Sequence, residues 1–127
     1  MRLEYLPDGS PDCPLIRLYD FDHRTVSVFR RFVAELGNGS RRALIVHDLP
    51  DVEAVGACQL VLEVGKRNLG VIPSRSANSF SCILTEAGWE NVAYLMEPFC
   101  EPGQAGAFQW LSDEGKIPLL LSVDGQW

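Results

Sequence analysis

Histidine is scarce in this sequence. Among 127 residues only His23 and His47 are histidines, so acid–base chemistry near neutral pH has two imidazoles to draw on. Long hydrophobic runs are absent as well. The apolar stretches extend only a few residues, far short of the roughly 20 needed for a helix to cross a bilayer. The opening "MRLEYLPDGSPDCP" lacks the apolar core of a secretory signal, so the expected location is cytoplasmic.

No C-x-x-C occurs. The four cysteines, Cys13, Cys58, Cys82 and Cys100, are widely spread and read as free thiols in a reducing compartment. Cys58 and Cys82 lie in apolar segments and suit the core, while Cys13 and Cys100 lie nearer loops. No spacing supports zinc, and no cofactor motif is present. Basic residues are also in deficit: 11 against 17 acidic gives a net charge of −6. Such a surface repels phosphate backbones, so nucleic acid is not an expected partner.

Hydrolase signatures are missing too. There is no G-x-S-x-G. "GNGSRR", Gly37–Arg42, has the small residues and arginines of a phosphate cradle. It follows a helical segment, however, and a helix C-terminus presents the wrong sign to an anion.

What is present reads as a globular chain. It is 46% hydrophobic and 22% charged, ordinary values for a packed fold. Its length suits one domain spanning 1–127, with no linker to divide it. "RLEYL" and "LIRLYDF" read as strands on either side of a turn-rich loop. "TVSVFRRFVAEL" has helical period: Val26, Phe29, Val33 and Leu36 form one stripe, and Gly37 follows as the expected left-handed cap. "RALIVHD" is apolar on both faces, which suggests a central strand. "QLVLEV" alternates, "LGVIP" reads as its hairpin partner, and "FSCILT" is a further strand. "TEAGWENVAYLMEPF" reads as a second helix capped by Thr85, with Trp89, Val92, Met96 and Phe99 facing inward and Pro98 ending it. "FQWL" and "IPLLLSV" form a final hairpin, with Ile117, Leu119, Leu121 and Val123 on one face. This order predicts an α+β fold: a mostly antiparallel or mixed sheet with two helices packed on one face, a ferredoxin-like core with added strands being one arrangement that fits.

"YDFDHR", Tyr19–Arg24, gathers Asp20, Asp22 and His23. As a site it offers two carboxylates and an imidazole for metal binding or proton transfer. As local structure it is a strand-to-helix junction, with Asp22 at the N-cap. The junction explains Asp22 but leaves Asp20 and His23 open. His47 and Asp48 end the next long strand, where loops often build pockets. If the strands on either side of the first helix are parallel, their C-terminal ends lie together and these five residues could converge. Trp110 and Trp127 carry a different hint, because tryptophan is enriched in pockets and interfaces. A second sheet face made partly apolar by Ile45, Val61 and Leu120 would favour a homodimer.

The function expected from these features is a non-catalytic binding or protein-interaction module. Its partner would be another protein or a second copy of the chain, with a small molecule as a further option and neither membrane nor nucleic acid. The alternative is a small metal-assisted hydrolase or acid–base enzyme built on His23, His47 and the nearby aspartates, Asp20 and Asp48 among them.

Overall fold

In the computed structural model, residues 1–127 form nine strands and two α-helices. The elements are β1 (Arg2–Leu6), β2 (Leu15–Tyr19), α1 (His23–Gly37), β3 (Ala43–Ile45), β4 (Glu53–Ala54) and β5 (Gln59–Val64). They continue with β6 (Gly70–Pro73), β7 (Ser79–Leu84), α2 (Glu86–Met96), β8 (Phe108–Ser112) and β9 (Leu119–Ser122). The class is α+β, as the alternation of strands and helices implied.

Both helices start where their caps stand. The Asp22 carboxylate accepts from the Thr25 N–H at 2.8 Å, and the Thr85 hydroxyl accepts from the Gly88 N–H at 3.0 Å. Each satisfies an otherwise unpaired first-turn donor. The buried residues of α1 are Val26, Phe29, Val33 and Leu36. Those of α2 include Trp89, Val92 and Met96, and a 3-10 turn from Glu97 to Cys100 carries the stripe on to Phe99. Gly37 does not serve as a left-handed cap. It is the last helical residue, Asn38 caps the helix, and Gly39 takes the positive φ of +84°. Gly37 is needed for close packing instead, because a Cβ there would lie 2.8 Å from the backbone nitrogen of Glu90. The two helices approach nearly backbone to backbone at that point.

The strands divide between two sheets rather than forming one. A five-stranded sheet has the order β4-β1-β2-β9-β8, and a four-stranded sheet the order β3-β5-β7-β6. Both are mixed. β2 lies parallel to β9 and β5 parallel to β7, while β1/β2, β8/β9, β3/β5 and β6/β7 are antiparallel. Apart from the short β4, which pairs with β1, the two ends of the chain make one sheet and its middle makes the other. Helices of 15 and 11 residues are too short to cover one nine-stranded sheet, whereas two sheets turned toward a shared core cover each other.

Two local expectations are corrected by this pairing. "RALIVHD" is an edge segment: β3 ends at Ile45, pairs only with β5, and leaves Ile45 45% exposed. Its apolar outer face meets no second layer. "LGVIP" does not return as the hairpin partner of β5, because β6 pairs with β7, which separates it from β5. The β8–β9 hairpin forms as expected.

A single cluster of 25 buried residues draws on both sheets and both helices. Leu3, Ile16, Leu18, Leu119 and Leu121 come from the five-stranded sheet, and Leu44, Leu60, Leu62, Phe80, Cys82 and Leu84 from the other. The Tyr5 and Phe80 rings meet across the sheets at 4.6 Å. No helix is long and apolar enough to cross a membrane.

Cys58 and Cys82 are buried, as expected, and all four cysteines are unpaired. Burial pushes the Cys58 thiol up to about 11 and the Cys82 thiol up to about 12, which removes the reactive thiolate. A thiol-counting titration on the native protein should therefore register Cys13 and Cys100 promptly, with Cys58 and Cys82 appearing only after unfolding. Four fast thiols in the native protein would contradict the packing around β5 and β7.

Candidate functional site

The residues of "YDFDHR" have distinct local roles. Asp22 is exposed and caps α1. Hydrogen bonds from Thr25, its backbone N–H foremost, hold the Asp22 carboxyl below the ordinary carboxylate value. A folded value below the unfolded one stabilises the fold above the ordinary carboxylate range, and that contribution is lost as pH falls through the depressed value. Asp22→Asn keeps a capping oxygen but should flatten this part of a plot of melting temperature against pH. An unchanged acid limb would contradict the cap's electrostatic role.

Asp20 sits at a φ of +59°, a left-handed conformation that aspartate tolerates better than most residues. Its N–H donates to the Val123 carbonyl at 3.0 Å, so it turns the chain from β2 toward α1. His23 opens α1 and lines a cleft of about 230 Å³ with Asp22, Phe99 and the Glu101–Ala105 loop.

His47 lies just past β3. Its Nδ1 accepts from the Leu60 N–H at 3.1 Å, so the ring replaces a backbone acceptor where the β3–β5 ladder ends. Its Nε2 stands 3.9 Å from the Asp48 carboxylate. The convergence of Asp20, Asp22 and His23 with His47 and Asp48 was expected for β2 and β3 running parallel with their C-terminal ends together; the two strands belong to different sheets. No three His, Cys, Asp or Glu side chains are grouped so as to hold a metal ion.

The outer faces of the two sheets differ. Across the four-stranded sheet, Ile45, Val61, Ser81 and Ile72 stand in register, and Ile45 and Ile72 reach solvent at 45% and 38% exposure. Leu120 does not share that face. It lies in β9 of the other sheet and is wholly buried.

On the outer face of the five-stranded sheet, Glu4 pairs in register with Arg17, and Arg17 with Leu120. The Arg17 guanidinium donates from Nε and Nη2 to the Glu4 Oε1 at 3.0 and 2.6 Å. The Tyr19 hydroxyl donates to the same oxygen at 3.1 Å. Burial first, and this hydrogen bond second, hold the Tyr19 hydroxyl above its ordinary pKa, so it remains a donor. The guanidinium also lies 4.0 Å from the Tyr19 ring centre, a cation–π contact.

This network ties down the last residues of the chain. Arg17 Nη1 donates to the Gly125 carbonyl at 2.7 Å, and the Ser122 hydroxyl donates to the Gln126 carbonyl at 2.6 Å. Gly125 has a φ of +82°, and a Cβ there would lie 2.9 Å from Arg17 Nη1 and 3.0 Å from the Tyr19 ring. Glycine is what lets the tail lie this close. Finally, Trp127 Nε1 donates to Asp12 Oδ2 at 3.0 Å, which joins the tail to the loop before β2. Leu15, Tyr19 and Leu120 are buried on this side, outside the central cluster.

Beside the tail opens a cavity of about 560 Å³ lined by Ser10, Pro11, Asp12, Phe108, Trp110, Gln126 and Trp127. Phe108 and Trp110 are two apart on β8, so the pleat points both to this face, and Phe108 is 45% exposed. Asp12 is the only charged residue in the lining. Trp110 and Trp127 were conspicuous in the sequence. Phe108 was readable from its two-residue spacing to Trp110. Asp12 was not, since it meets Trp127 across 115 positions. A smaller apolar recess of about 190 Å³ lies between α1 and Leu49–Val52, without a comparable convergence of tryptophans.

Compared with family models, characterised proteins and solved structures, the chain matches none.

Proposed function

We propose that this chain is a non-catalytic binding module that receives a segment of a partner protein in the Trp110–Trp127 cleft. One observation carries the reading: three aromatic side chains, Phe108, Trp110 and Trp127, line a single open cavity on the face of a sheet. Aromatic side chains offer large contact area for little lost rotamer freedom. The cavity's size falls within the range of ligand sites, roughly 300–1,000 Å³. Three of the five polar candidates hold structural positions: Asp22 caps a helix, Asp20 turns the chain, and His47 completes a ladder.

The test is a screen of short peptides against the isotope-labelled protein by NMR. Shifts confined to Ser10–Asp12, Phe108–Trp110 and Gln126–Trp127 are the expected result. The competing reading is an acid–base enzyme built on His23, supported by the cleft that His23 shares with Asp22 and Glu101. It requires turnover of some substrate that His23→Ala abolishes, and that finding, with a silent Trp110–Trp127 cleft, would overturn the proposal. Self-association would draw on the uncovered face of the four-stranded sheet, and light scattering on Ile45→Asp beside the parent protein measures it separately.

A further inference from the structure

We infer that the cleft takes a cationic side chain, arginine in preference to lysine, presented by an extended segment of the partner protein. The inference rests on the reading of this cleft as the binding site and specifies what enters it.

Charge is the first argument. Asp12 is the one charged residue in the lining, so no cation of the protein competes for the space. Its Oδ2 accepts from Trp127, while Oδ1 has no partner in the fold and remains available. The chain's net charge of −6 draws cationic partners and repels acidic ones.

The rings are the second argument. The face of an aromatic ring attracts a cation, and tryptophan does so most strongly. This fold already uses that chemistry internally: guanidinium groups lie over Tyr19 at 4.0 Å (Arg17) and 5.6 Å (Arg2), and over Phe32 at 5.0 Å (Arg41). The rings of Phe108, Trp110 and Trp127 have no such cation above them. Trp127 is held beside Asp12 by its own hydrogen bond, so ring and carboxylate are positioned together. A planar guanidinium can stack flat on an indole while its donor fork meets a carboxylate edge, whereas a compact ammonium has neither plane nor fork.

The experiment uses capped glycine–serine peptides that carry one central residue: arginine, lysine, citrulline or glutamate. Citrulline keeps the planar shape and loses the charge. Binding is read by tryptophan fluorescence and calorimetry on the full chain. The arginine peptide should bind about tenfold or more tighter than the citrulline peptide, with lysine between them and glutamate weakest. Added salt should narrow that gap. Asp12→Asn keeps an oxygen for the Trp127 indole, and should lower arginine-peptide affinity about tenfold while lowering citrulline-peptide affinity much less, because only the arginine loses a charge partner. Trp110→Ala should remove both. Equal binding of the arginine and citrulline peptides, or indifference to Asp12→Asn, would overturn the cationic assignment while leaving the cleft a binding site. No response at the cleft to any of the four peptides would overturn both.

Discussion

Replacing Trp89 with alanine should remove about 3–5 kcal/mol of folding stability, the range for deleting a buried tryptophan or phenylalanine side chain. Trp89 is wholly buried, and its position on α2 makes it the largest side chain of the inward stripe. Its Nε1 donates to the Glu63 carbonyl at 2.8 Å, so it also bonds α2 directly to β5. Alanine leaves a cavity between helix and sheet and deprives that carbonyl of its donor. Trp89→Phe separates the two effects, because it keeps most of the volume and loses the hydrogen bond, at an expected cost of about 1–2 kcal/mol. Urea unfolding of both variants measures the difference. Against a typical total of about 5–15 kcal/mol, that loss is a large fraction of the whole. A loss under about 1 kcal/mol would mean that α2 does not pack on the four-stranded sheet through this residue.

Arg17→Ala should have the next largest effect, and it reaches the site. Removing one partner of a fully buried ion pair costs about 3–5 kcal/mol. The Arg17 and Glu4 side chains are 19% and 21% exposed, and solvent screening brings the expected loss to about 2–3 kcal/mol. The guanidinium makes three contacts at once, to Glu4, to the Tyr19 ring and to the Gly125 carbonyl. Its loss should free the tail, so backbone amides from Asp124 to Trp127 should exchange faster with solvent and the wall formed by Trp127 should be lost. Exchange measured by mass spectrometry tests this directly. Full protection of the tail in Arg17→Ala would show that Ser122 and Asp12 suffice to hold it.

Much of the helical part of the fold was legible in the sequence, because its causes are local. Asp22 and Thr85 each meet an N–H three residues on, and the apolar stripes lie within one helix each. The sheets were less legible. The β2–β9 pairing sets Ile16 opposite Leu119, and no feature near either residue announces the other. "RALIVHD" looked central because both faces are apolar, yet Ile45 faces outward from an edge strand. Gly37 looked like a turn, but its small size serves a helix–helix contact that depends on where α2 lies.

The site was readable in the same uneven way. Three of the aspartates and histidines that drew attention first have local roles, Asp22 as a cap, Asp20 at a left-handed turn and His47 at a ladder end; His23 lines a cleft with Asp22, and Asp48 stays exposed beside His47. Trp110 and Trp127 were visible as an excess of tryptophan. Their meeting with Asp12 and Phe108 depends on Gly125, which lets the last residues cross Arg17 and Tyr19.

The most direct measurement is the indole N–H spectrum of the protein as the arginine peptide is added. Three signals are available, from Trp89, Trp110 and Trp127. Trp89 is an internal control, sealed in the core and bonded to Glu63. The expected result is that the Trp110 and Trp127 signals move together with peptide concentration while Trp89 stays fixed. If the Trp110 and Trp127 signals stay still while the peptide binds elsewhere on the chain, the cleft is not the binding site.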